Sequence, residues 1–157
     1  MSSTPEELFE LTRQAVVGLA LALGLQSVQV KVRKLPKHQE TVDDPLPLIA
    51  IVPSTKPDKD VPFDTGRDGG IRKLRTYTVQ IVIIAAGNKD AISNLDVYQE
   101  WREQIANSFA KPRSVEHGKL LTTKFIPDVV IDRRVYSANY DYSGQAVQYS
   151  VVEVIPD

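Results

Sequence analysis

At 157 residues, with 42% hydrophobic and 25% charged side chains, the chain has the makeup of one globular domain with a sizeable core. Nineteen Lys and Arg against 20 Asp and Glu leave a net charge of −1, so no overall field draws the chain to nucleic acid. The absence of cysteine excludes disulfides, thiolate catalysis and cysteine-held metals.

Thr4-Pro5-Glu6-Glu7 predicts a helix start: Thr4 can cap the amide of Glu7, and Pro5 sits where its missing N–H does no harm. Leu8, Leu11, Ala15, Leu19 and Ala22 follow one helical face, and Gly24 is placed to end the helix in a left-handed conformation. Residues 15–25 are apolar and uncharged, but a membrane crossing takes roughly 20 such residues. Glu6, Glu7 and Glu10 outweigh Arg13, the wrong balance for a secretory signal. The expectation is a buried helix and no membrane. Its second half is apolar nearly all round, so it wants burial on more than one side, from the sheet or from a neighbouring subunit.

Residues 27–35 alternate, with Val28, Val30 and Val32 on one face and Gln29, Lys31 and Arg33 on the other, which predicts a half-buried strand. A polar linker with Asp43 and Asp44 leads to an apolar run at 48–52. That run does not alternate, so it reads as a central strand covered on both faces. A loop of roughly 18 residues, 53–70, follows, and then a strand over 71–86 that begins basic and ends apolar. About 16 residues exceed the usual strand length, so part of it is expected to project as a hairpin arm with the preceding segment.

A second helix is predicted from about Asp90 or Asn94 to Phe109. Ile92, Leu95, Tyr98, Trp101, Ile105 and Phe109 form its buried stripe, and Gln99, Glu100, Arg102 and Glu103 face water. Two strands near 125–135 and 145–155 close the chain, with 140–144 as the turn between them. The order is α-β-β-β-α-β-β. This predicts an α+β fold: a single, mostly antiparallel sheet, helices on one face, and a long hairpin arm from the second and third strands.

Catalytic constellations are missing. His38 and His117 fall in polar segments beside lysines and read as solvated side chains. Gly66-Arg67-Asp68-Gly69-Gly70 precedes a strand, whereas phosphate-cradling glycine loops open a helix. Asp43-Asp44 and Asp58 with Asp60 lack the oxygen count and closing Glu of a calcium loop. Pro127-Asp128 with Glu153 lacks the following lysine of a nuclease site. Basic residues gather at Lys31, Arg33 and Lys34, at Arg72, Lys73 and Arg75, and at Arg133-Arg134. Tyr77 and Tyr136 nearby give an alternative reading, a small nucleic-acid-binding or processing protein. Tyr136, Tyr140, Tyr142 and Tyr149 suit either an interface or internal packing.

The segment Leu74-Arg-Thr-Tyr-Thr-Val-Gln-Ile-Val-Ile-Ile84, a short turn, and Asn94-Leu-Asp-Val-Tyr-Gln-Glu-Trp-Arg-Glu-Gln-Ile105 resemble the tail terminator and tail completion proteins of bacteriophages, the group that includes the minor tail protein U family. The first helix, the 46–52 strand and the final strand pair fit that family's order as well. The resemblance implies a non-enzymatic phage or prophage virion protein without cofactor or metal, made in the bacterial cytoplasm and resident in the tail. It implies a homo-oligomeric ring, typically a hexamer, that caps the tube and joins it to the head. Its partners would be the tail tube protein and a head-completion or connector protein, with DNA passing through the pore without sequence-specific binding. The loop and arm are the expected contact surface, through Asp58, Lys59, Asp60, Phe63, Arg67, Arg72, Lys73 and Arg75.

Overall fold

The computed structural model describes residues 4–54, 57–65, 71–109, 119–132 and 134–155. In chain order these form α1 (Thr4–Val17), β1 (Ala22–Leu23), β2 (Gln26–Ser27), β3 (Gln29–Val32), β4 (Leu48–Val52), β5 (Lys59–Thr65), β6 (Ile71–Ala85), α2 (Asn88–Ser93), α3 (Leu95–Ser108), β7 (Lys119–Val129) and β8 (Asp141–Ile155). The fold is α+β. One sheet runs β3-β4-β6-β8-β7, and β5 also pairs with β6.

β6 is the axis of the sheet. It pairs antiparallel with β8 along its whole length, from Ile71 opposite Ile155 to Ala85 opposite Asp141. On its other side β4 lies against Gln80 to Ile84 and β5 against Ile71 to Thr76, so two strands share one lane. β3 joins β4 in parallel, which makes the sheet mixed where a mostly antiparallel one was expected. The reason is topological: residues 33–47 carry the chain back along the edge, so both strands run the same way.

The two faces are covered differently. Ile49, Ile51, Tyr77, Val79, Ile81, Ile83, Val147, Tyr149 and Val151 alternate onto the face that receives Leu8, Phe9 and Val16 of α1 and Tyr98, Trp101 and Ile105 of α3. Leu48, Ala50, Val82 and Ile84 point the opposite way, with Leu35, Val42, Ile131, Tyr136 and Tyr140 from two connecting segments and Tyr142 from β8. Burial on both faces explains why β4 does not alternate in sequence. The tyrosines serve packing here. Tyr140 Oη accepts the Val42 amide at 2.8 Å, and Tyr142 Oη donates to the Ser137 carbonyl at 2.7 Å.

Several expectations need correcting. The first helix ends at Val17, well short of Gly24. Leu19 and Ala20 bond back to Val16 and Val17 in tighter turns, and Ala20 adopts a φ of 52°. The chain then reverses through the β1–β2 hairpin, where Gly24 supplies the positive φ of a two-residue turn. The second helix divides at Asn94, whose side chain bonds back to Asp90. Ile92 and Leu95, expected in its buried stripe, are 65% and 51% exposed. Tyr142 to Gly144 belong to β8, and the β7–β8 connection lies earlier, at 130–140, because Gly144 is a close-approach glycine. A Cβ there would meet the Val129 carbonyl oxygen at 2.6 Å.

Candidate interaction surface

Within the expected 53–70 loop, Lys59–Thr65 is a strand, and residues 55–56 and 66–70 lie outside the described residues. β4 leaves β6 at Val52, opposite Gln80, and Lys59–Thr65 pairs with β6 from Thr76 to Ile71. Pro62 disguises this strand in the sequence, since proline cannot donate to a ladder. It is tolerated because β5 occupies an edge, and the register slips between Pro62 and Asp64, at Phe63. The arm is therefore broader than a two-stranded hairpin: β5 and β8 both flank the basic half of β6.

Strand alternation divides the arm's residues between its two faces. Toward the helix side, Arg75 donates from Nη1 to Glu153 Oε2 at 2.9 Å, and its Nη2 lies 3.3 Å from Asp60 Oδ2. Lys73 Nζ stands 3.7 Å from the same Asp60 oxygen. Tyr77 Oη donates to Glu153 Oε1 at 2.9 Å. Burial, reinforced by the Glu153 carboxylate, pushes the Tyr77 phenol up to about 12. Arg75 pays a burial penalty for its charge, yet Asp60, Tyr77 and Glu153 together raise its pKa. Glu153 is only 8% exposed, so this network ties the arm to the core. At its base the Asp58 amide donates to the Thr76 carbonyl at 2.7 Å, and Thr78 Oγ1 donates to the Asp58 carboxylate.

The opposite face carries different chemistry. Val61, Leu74 and Val152 stand in one cross-strand row, and Lys59, Thr76 and Ser150 in the next. Val61 is 51% exposed, Lys59 and Arg72 are exposed, and Leu74 and Val152 are half-buried. This surface is an apolar row between two cations.

The expected contact residues thus separate. Asp60, Lys73, Arg75 and Glu153 form one ionic network on the helix side, and Lys59 and Arg72 are exposed on the opposite face. Phe63 sits in the backbone irregularity of β5, and Arg67 lies outside the described residues.

No family model matches the chain, and no curated protein matches it at a significant level.

The other candidates are dispersed. Lys31 and Arg33 both pair with Asp44, each at 3.1 Å, and Arg134 pairs with Asp132. Asp128 and Glu153 stand toward opposite ends of β8, since Val129 is opposite Gly144, nine residues and about 30 Å from Glu153. His38 is exposed, and His117 lies outside the described residues. Among the described residues no three His, Asp or Glu side chains gather as metal ligands. None of their helices is long and apolar enough to cross a membrane.

Arg102, expected to face water, does something the sequence did not signal. Its guanidinium reaches the carbonyls of Pro127 and Gly144 and the Ser143 hydroxyl, with Asp128 Oδ1 at 3.5 Å. It pins α3 to the ends of β7 and β8.

Proposed function

We propose that this chain is a structural subunit of a phage or prophage tail, acting in a homo-oligomeric ring that caps the tail tube and joins it to the head. In this reading the subunit has no enzymatic task. The tube protein and a head-completion or connector protein are its partners, and DNA traverses the pore without base-specific contact.

One observation carries the reading: the outward row Val61–Leu74–Val152 flanked by Lys59 and Arg72, held on an arm whose inner face is tied down by Arg75 and Glu153. A partly apolar surface rimmed by charge is the composition of a protein contact. The order of elements, from the first helix through the 74–105 strand and helix to the final strand pair, supports the same assignment. The nucleic-acid reading loses its main support, because Lys31, Arg33, Lys73, Arg75 and Arg134 have carboxylate partners within the chain.

Charge reversal tests the assignment. Lys59→Glu, Arg67→Glu and Arg72→Glu are expected to lower the yield of joined, infectious tails while leaving the thermal melt within about 0.5 kcal/mol of the parent. Normal tails from all three variants would remove the arm from the contact surface.

A further inference from the structure

Residues 14–30 contain no charged side chain, whereas the chain's own 25% would place about four there. Part of this stretch is exposed: Val17 is 48% accessible, and Leu25, at the tip of the β1–β2 hairpin, is fully exposed at 107%. The Val28 amide bonds to the Leu21 carbonyl at 3.0 Å, and Leu21 is buried, so the base of the hairpin is anchored while its tip stands clear. Lack of charge together with a large exposed aliphatic group marks the centre of a contact.

A complementary feature lies elsewhere on the molecule. A cavity of about 210 Å³ opens between the helices and the sheet, lined by Ile83, Ala85, Ala91, Leu95 and Tyr98 among others. Leu95 at its rim and nearby Ile92 are the two apolar side chains that the helical stripe leaves outside. An apolar cavity of roughly 150 Å³ admits a benzene-sized group, so this one admits an isobutyl side chain. Of the polar side chains that line it, Tyr98 donates to Asp90, Arg102 is held by Ser143, Gly144 and Pro127, Asp141 accepts the Tyr142 amide, and Gln99 is exposed. An uncharged knob suits a cavity whose two charged lining groups, Arg102 and Asp141, already have partners within the chain.

We propose that the β1–β2 hairpin of one copy docks in this cavity on a second copy, with Leu25 as the anchor. Knob and hole are different surfaces, so the contact is head-to-tail and each copy keeps one free hole for the next. The exposed residues of 14–29 number fewer than the roughly 20–30 on each side of a standard interface, so a single contact is weak. Closure of a ring makes it persistent. The inference requires self-contact only, so it can fail while the tail assignment stands.

The chain has no native cysteine, so single-cysteine variants report the contact directly. Leu25→Cys mixed with Leu95→Cys, at up to about 1 mM protein and with a short bis-maleimide, is expected to give a cross-linked dimer. Leu25→Cys mixed with Val61→Cys serves as the exposed control and is expected to give far less. Leu25→Ser is expected to melt like the parent and to self-associate at least tenfold more weakly by sedimentation. Cross-linking no better than the control, Leu25→Cys linking preferentially to itself, or unchanged self-association of Leu25→Ser would each overturn the proposal.

Discussion

Tyr77 and Glu153 are where single atoms decide most. Tyr77 is buried at 3% exposure, and its phenol donates a hydrogen bond to a carboxylate that also holds Arg75. Tyr77→Phe leaves Glu153 one donor short and is expected to cost about 1–2 kcal/mol at pH 7 in denaturant unfolding. The pH dependence follows from the same contact. The folded pKa lies near 12, above the unfolded value near 10, so this contribution is whole below pH 10 and is lost as pH climbs toward 12. Burial and Asp90 raise Tyr98 too, so an alkaline melt of Tyr77→Phe should keep part of the slope and lose part. At Gly144 the constraint is steric. Gly144→Ala sets a methyl against the Val129 carbonyl and the Ile131 side chain, and is expected to lose about 1–3 kcal/mol, or roughly 2–4 °C of melting temperature per kcal/mol.

Among the elements, β6 and β8 form the longest ladder and carry much of the core, whereas β5 is an edge and β1–β2 a two-residue pair. Native-state hydrogen exchange should therefore protect the amides of 77–84 and 145–151 most, and those of β5 and the hairpin least. Ile105→Ala, removing a fully buried side chain of α3, should cost about 2–5 kcal/mol and loosen the helix that Arg102 pins to β7 and β8. Strands with a strong apolar signal, 48–52 and 71–85, were legible within a residue or two, as was the one-sided helix layer. β5 was not, because Pro62 and four charged or polar neighbours give a loop's composition, and only pairing with β6 makes it a strand. The end of α1 was hidden for the opposite reason: an unbroken apolar run from Ala15 to Leu23 satisfies a helix and a turn-and-hairpin equally well. For the expected contact residues, sequence could not separate those turned inward from those turned out. That division depends on strand parity relative to α1, which is set by tertiary pairing.

At the scale of the whole molecule, exposed apolar side chains stand apart from one another. Leu25, Val61 and Leu95 are exposed at the hairpin tip, on the arm and at the α2–α3 cavity, and Ile92 is exposed on α2. A subunit that meets copies of itself through the first and third, and other tail proteins through the second, uses all three. The near-zero net charge and the internally paired cations leave little phosphate affinity, so retention on duplex DNA is expected to be absent even at low salt. The most direct test of the central claim is electron microscopy of tubes assembled from the cognate tail tube protein, with and without this chain. The account predicts rings seated on tube ends, with a central pore about as wide as a DNA duplex, and a shortened, capped tube population. Bare tube ends and an unchanged length distribution in the presence of excess protein would contradict it.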